Sequence, residues 1–205
     1  MEYDPKNENA MNDGQEPKPK KPRKPIEPTE KWLRDQALRY LNRFPATRRK
    51  MTRHLFDKAM RHAEHFELSE TVLNERIAGV IEKLEASGFI NDTEFAASKA
   101  RVMARQGRSI AQIGVKLQEM GFAESDQSHA IKELGTDTTL LDRKAAARFV
   151  KRRRFGPYKP EETREDRRDK ELTSLARQGF SYDVATSVID AEDTEKIEAI
   201  IFGDD

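Results

Sequence analysis

The chain of 205 residues contains no cysteine, one tryptophan and only 7% aromatic residues. The lack of cysteine excludes disulfides, zinc–thiolate sites and thiol nucleophiles. Hydrophobic residues are also few, at 36%, whereas charged residues reach 37%, compared with roughly 25% in an average domain. This composition predicts several small hydrophobic cores with much charged surface rather than one deep core.

Long apolar runs are missing as well. No stretch approaches the roughly 20 apolar residues of a membrane-spanning helix, and the N-terminus has no apolar segment like that of a signal peptide. We therefore expect a soluble, cytoplasmic protein that does not bind membranes. Residues 1–28 are rich in Asn, Glu, Lys and Pro, and we expect a disordered tail whose basic run at 17–25 is solvated.

From Trp32 onwards, apolar residues recur at the spacing of helices. They occupy every third or fourth position, and Gly88, Gly107, Gly121 and Gly179 stand where helices are expected to end. No window of four or more residues alternates as a half-buried strand would. The chain is therefore predicted to be all-α.

One pattern recurs along the chain: a capping residue, two apolar residues at four-residue spacing, and a small residue at the turn. The segment 47–59 matches 109–121, and 117–122 matches 175–180. These matches predict three units of three helices in tandem, each unit touching only its neighbours. The predicted units are 29–90, 91–136 and 137–191, and residues 192–205 are assigned to an acidic C-terminal tail.

Positive charge is concentrated in two segments, although the formal net charge is only +1. One segment begins the helix after Pro45, and the other covers 143–170. Such clusters bind the phosphate backbone of nucleic acids or an acidic protein surface, the alternative being an ordinary solvated face. The candidate binding residues are Arg48, Arg49, Arg53, Arg148, Lys151, Arg152, Arg153, Arg154, Arg167 and Arg168.

Residues that support catalysis or metal binding are not grouped in the sequence. His54, His62 and His65 share a polar segment, but no His-Glu-x-x-His motif is present. The sequence also lacks a Gly-rich phosphate loop, a nucleophile elbow and a paired-carboxylate motif. We predict a protein that is not an enzyme and that uses no metal or cofactor.

Four segments of the chain resemble one known family. They are Ala-Leu-Arg-Tyr-Leu with the following Pro-Ala-Thr at 37–47, Gly-Phe-Ile-Asn-Asp-Thr-Glu-Phe-Ala at 88–96, Leu-x3-Gly at 117–121, and Arg-Gln-Gly-Phe-Ser-Tyr-Asp at 177–183. In these segments the chain is similar to the RecX family, bacterial regulators of the RecA recombinase. The resemblance extends over about residues 32–191. The chain departs from the family pattern at Lys99 and Ala100, where an aromatic residue is common.

The resemblance implies an elongated, curved array of three-helix repeats and a monomer without enzymatic activity. It further implies that the protein lies in the groove of the RecA–DNA filament and modulates, usually inhibits, strand exchange and coprotease activity in DNA repair and the SOS response. Contacts with the DNA phosphate backbone are expected to be weak and non-specific. The alternative is a direct DNA-binding protein of the helix-turn-helix kind that acts without RecA.

Overall fold

A computed structural model describes residues 24–203. Residues 1–23, which include most of the predicted N-terminal tail and of its basic run, lie outside this range, as do residues 204–205. Within the range the chain forms ten α-helices and two short 3-10 helices, and no strand, which confirms the predicted all-α class. No helix in this part of the chain is long and apolar enough to cross a membrane.

The α-helices follow one another with short connections. They are α1 (Glu30–Leu41), α2 (Arg48–Ala63), α3 (Glu70–Ala86), α4 (Asp92–Arg105), α5 (Ile110–Glu119), α6 (Glu124–Leu134), α7 (Thr138–Arg153), α8 (Glu161–Arg177), α9 (Tyr182–Ile189) and α10 (Thr194–Phe202). The two 3-10 helices are Glu64–Phe66 and Gly156–Tyr158.

Buried side chains form three hydrophobic clusters in chain order. The first lies among α1, α2 and α3, together with Ile90, and the second among α4, α5 and α6 with Phe122. The third lies among α7, α8, α9 and α10. Three small clusters agree with the low hydrophobic content, because a small unit buries a smaller fraction of its chain than a large one. We refer below to the first, second and third helix groups.

The middle helix begins in the same way in the first two groups. The Thr47 hydroxyl accepts a hydrogen bond from the Lys50 amide at the start of α2, and the Ser109 hydroxyl accepts one from Gln112 at the start of α5. Both capping residues are buried, at 2% and 0% exposure. Each cap satisfies an amide that has no partner within its own helix, so the predicted helix starts are confirmed.

A hydrogen bond from a backbone amide to a side-chain carboxylate joins each helix group to the next. The first amide of α2, on Arg48, donates to the Asp92 carboxylate at 3.0 Å, and the first amide of α5, on Ile110, donates to Asp142 at 2.7 Å. Each carboxylate comes from the first helix of the following group. Burial raises the pKa of both carboxyl groups, and the hydrogen bond that each accepts from the amide opposes this increase only in part.

Two glycines complete these junctions. Gly121 follows α5 and Gly179 follows α8, with φ values of 84° and 79° that residues other than glycine rarely adopt. A Cβ atom on Gly121 would lie 2.9 Å from Arg49 Cδ, and one on Gly179 would lie 2.9 Å from Ser109 Oγ. At each junction, the middle helix of the following group therefore ends against the beginning of the middle helix of the preceding group.

The prediction of an acidic tail at 192–205 is wrong for residues 192–203, because α10 occupies most of this segment. Asp193 caps this helix by accepting from the Lys196 amide at 2.8 Å. Ile197 and Ile201 are buried, at 0% and 7% exposure, in the cluster of the third group. These two isoleucines, four residues apart among acidic residues, supply the apolar face that holds the helix in place.

Replacing Gly179 with alanine is expected to destabilise the protein by about 1–3 kcal/mol, because a Cβ atom adds strain at positive φ and contacts Ser109. The matched control is Gly79→Ala within α3, where a Cβ meets nothing within 4 Å. That change is expected to stabilise by about 0.8–1 kcal/mol. Urea unfolding followed by circular dichroism measures both, and equal effects of the two changes would contradict this account of the junction.

Asp142→Asn is expected to keep the stability of the protein at neutral pH, because an amide oxygen still accepts from Ile110 without a buried charge. Asp142→Ala is expected to lose about 1 kcal/mol with the hydrogen bond. A carboxyl whose pKa is raised by folding favours the folded state at low pH and less so as the pH rises. Any advantage of Asn over Asp should therefore shrink on acidification, as denaturant titrations at pH 7 and pH 4 would show.

Candidate anion-binding surfaces

Most of the basic residues predicted on α7 lie in its last turn. Ala145 and Phe149 are buried at 4% and 3% exposure, as their helical spacing predicts. Lys151, Arg152 and Arg153 are exposed. The guanidinium groups of both arginines lie over the ring of Phe149, at 5.4 and 5.8 Å from its centroid. Phe149 therefore helps to hold the charged end of α7.

Three cations of α7 already have partners within the chain. Lys144 Nζ donates to the Gly203 carbonyl at 2.7 Å, and Lys151 Nζ forms an ion pair with Glu198 at 2.6 Å. Arg152 donates to the Gln106 carbonyl at the end of α4. The first two contacts hold the C-terminal part of the chain and the third joins the second and third groups, so this part of the basic face has a structural role.

The remaining candidate binding residues of the third group differ in their exposure and in their ion pairs within the chain. Arg168 binds both oxygens of Asp190, at 2.7 and 2.6 Å, and this pairing raises the pKa of the guanidinium. Arg148 is half-buried beside Phe202. Arg153, Arg154 and Arg167 are exposed and form no ion pair with any residue from 24 to 203.

The basic residues at the start of α2 are divided in the same way. Arg48 contacts Glu85 of α3 through its guanidinium group, while its amide binds Asp92. Arg49 and Arg53 face outwards, and the Arg53 side chain is 85% exposed with Asp57 at 3.9 Å. Arg48 therefore contributes mainly to the junction, and the two other arginines are available to a partner.

Arg49 and Arg53 line an open pocket between α2 and the second helix group. The pocket has a volume of about 510 Å³ and also includes Lys50 of α2 and Lys99 of α4. Sequence reasoning placed Lys50 near Arg49, but it had no means of placing Lys99 there, because the two helices meet only in the folded chain. We call these four cations and the space between them the α2–α4 pocket.

The histidines lie against aromatic rings. His54 packs on Tyr40 with 4.5 Å between ring centroids, and His62 packs edge-on against Trp32 at 5.4 Å. Burial, followed by the charge of Lys58, lowers the pKa of His54. Within residues 24–203, no three side chains of His, Cys, Asp or Glu come together in a way that would hold a metal ion.

Comparison with known proteins shows similarity to regulatory proteins named RecX. The chain is 30% identical over 161 residues to the regulatory protein RecX of Myxococcus xanthus, which covers 78% of this chain and 85% of the relative. It is 29% identical over 163 residues to the RecX protein of Halorhodospira halophila, covering 80% and 89%. No protein-family model matches the chain.

Two solved structures share the fold. One is a crystal structure of a regulatory protein RecX, with a TM-score of 0.54 and 22% identity over 79% of this chain and 72% of the other. The second is RecX from Lactobacillus salivarius, with a TM-score of 0.56 and 21% identity over 78% and 94%. The helical fold and these similarities together define a regulatory protein. The chain belongs to the RecX family.

The ion pair between Glu198 and Lys151 predicts how α10 responds to acid. The hydrogen bond from Lys151 holds the pKa of Glu198 below its ordinary value of 4.5. A carboxyl of this kind stabilises the fold above its unfolded-state pKa, and this contribution is lost as the pH falls through its folded-state pKa. Glu198→Gln should therefore lower the melting temperature at pH 7.

The difference between Glu198→Gln and the unchanged protein should shrink between pH 5 and pH 3 as Glu198 takes up a proton. Thermal melts followed by circular dichroism provide the measurement. Glu195→Gln is the control, since Glu195 is exposed and forms no ion pair with a described residue. A gap that stays constant across this pH range would contradict the assigned role of the ion pair.

Proposed function

We propose that this protein binds the RecA–DNA filament and modulates, mainly by inhibition, the recombinase and coprotease activities of RecA in DNA repair. Membership of the RecX family supports a regulatory role. The observation that carries the proposal is that exposed cations without ion-pair partners in the described chain lie on both the first and the third helix groups. Surfaces of this kind attract phosphates and acidic protein surfaces.

The helix groups are proposed to act as a tandem array of three units, elongated and curved, which contacts several filament subunits at once. The recurrence of the same two contacts at both junctions supports this arrangement. An aspartate of the following group binds the first amide of the middle helix, and a glycine after the next middle helix packs against the same end. Repeated junctions of one kind produce a regular progression from unit to unit.

In this proposal the protein works by occupying a surface and not by catalysing a reaction. It is a cytoplasmic monomer that needs no cofactor, and its contacts with DNA are to phosphates. The partner-binding residues are those cations whose charged groups form no hydrogen bond or ion pair with another helix: Arg49, Arg53, Arg148, Arg153, Arg154 and Arg167. Arg48, Lys151, Arg152 and Arg168, although exposed in part, mainly join helices.

The purified protein should co-sediment with RecA filaments assembled on single-stranded DNA and should slow their ATP hydrolysis and strand exchange. Arg153→Glu combined with Arg154→Glu should weaken this binding in a salt-dependent manner, because repulsion replaces contact with phosphate or acidic side chains. The matched control is Lys31→Glu combined with Lys132→Glu, two exposed lysines on α1 and α6.

Both double variants should keep the circular dichroism spectrum and melting temperature of the unchanged protein. If the protein binds duplex DNA with clear sequence preference and leaves RecA kinetics unaltered, the helix-turn-helix alternative is correct and the proposal is wrong. If both double variants lose filament binding equally, the effect comes from total charge and not from the end of α7.

A further inference from the structure

We propose that the α2–α4 pocket binds the phosphodiester backbone of single-stranded DNA without regard to base sequence. The pocket is formed by Arg49, Lys50 and Arg53 of α2 and by Lys99 of α4. This inference deepens the proposed function, on which it rests for the identity of the nucleic acid. It assigns DNA contact to a place where the first and second helix groups meet.

The charge of the pocket is almost unbalanced. Glu119 is the only carboxylate among its described lining residues, and Lys116 holds that carboxylate at 2.6 Å. Asp57 reaches Arg53 only from outside the pocket, at 3.9 Å. Arg49, Lys50 and Lys99 form no ion pair with the described residues. Four cations around one concave surface focus a positive potential there, which concentrates anions.

The first turn of α2 is unusually rich in cations. A helix N-terminus carries a partial positive charge and favours acidic residues, yet α2 opens with Arg48, Arg49 and Lys50 and has no acidic residue in its first turn. Asp92 accepts the first amide of α2 and Glu85 pairs with the Arg48 guanidinium, so neither carboxylate forms an ion pair with Arg49 or Lys50. The other two cations are thus unfavourably placed in the isolated chain, and an external anion would relieve that repulsion.

The positions of the cations are constrained by packing. The stem of Arg49 lies across Gly121, where any Cβ atom would come within 2.9 Å of it. Lys99 Nζ lies 5.3 Å from the centre of the Phe95 ring, and Lys50 Nζ lies 5.9 Å from that of Tyr40. The contacts of Arg49 and Lys99 hold these two side chains at the pocket before any ligand arrives, which reduces the entropy lost on binding.

The lining of the pocket favours a polyanion whose bases are not read. Its lining residues include no Asn or Gln, and Thr47, whose hydroxyl accepts from the Lys50 amide, is only 2% exposed. Phe95 packs edge-on against Phe122 with centroids 5.4 Å apart and lies under Lys99, so its ring is not free to stack on a base. Charged groups on long side chains around an open cleft suit a strand of phosphates passing through it.

The experiment measures anisotropy of fluorescein-labelled oligonucleotides, one of thymidine only and one of mixed sequence, with the full-length protein and without RecA. The test variant is Arg53→Gln with Lys99→Gln, which leaves the junction residues Arg48 and Arg49 intact. The control is Lys31→Gln with Lys132→Gln, which removes the same charge elsewhere. Melting temperatures establish that both variants remain folded.

The unchanged protein should bind both oligonucleotides with nearly equal affinity. The test variant should bind roughly tenfold more weakly, and the slope of log K against log salt should become shallower by about 1.4, or about 0.7 for each lost phosphate contact. The control should change the affinity and the salt slope by only a small fraction of these amounts. Arg53→Lys, which keeps the positive charge, should retain most of the binding.

Two results would overturn the inference. In the first, the test variant and the unchanged protein bind DNA equally, or neither binds it. In the second, the test variant keeps DNA binding but loses co-sedimentation with RecA filaments, so the pocket receives an acidic protein surface instead. Selective loss of DNA binding in a protein that never affects RecA would support the pocket while refuting the proposed function.

Discussion

The arrangement of the helix groups depends on how the first amides of the middle helices are satisfied. A helix cannot supply partners for its own first four amides, and here the first amide of α2 and that of α5 take theirs from a neighbouring group. The partner is a carboxylate in both junctions, although burial makes a charged oxygen costly there. The need for this carboxylate fixes where each group begins relative to the preceding one. In the first junction it places Lys99 of α4 beside Arg49 of α2.

The abundant positive charge of the chain serves two different purposes. Arg48, Lys151 and Arg168 meet carboxylates of other helices and so contribute to tertiary structure. Pairs of this kind near the surface contribute little individually, because water already stabilises the separated charges. Arg53 and Arg153 have no comparable partner across helices in the described chain. Composition alone does not separate the two classes, since both occur in the same runs.

Local pattern was sufficient to predict the helical class, several helix starts and the glycine ends, because these depend on residues within one turn. Thr47, Ser109 and Gly179 occupy the positions that their sequence context indicates. The helix α10 was missed, since Ile197 and Ile201 are too few to produce a clear period among acidic neighbours. The α2–α4 pocket could not be predicted from the sequence either, because its prediction requires knowing which parts of different helices meet in the folded chain.

The separation of the hydrophobic clusters has a mechanical consequence. The contacts described at the junctions are hydrogen bonds and a glycine seated against a side chain, while the large apolar side chains pack within their own groups. Bending one group relative to the next therefore deforms a few polar contacts and leaves the cores intact. We expect the molecule to be stiff within each group and compliant between them, and so able to follow a helical polymer whose pitch changes.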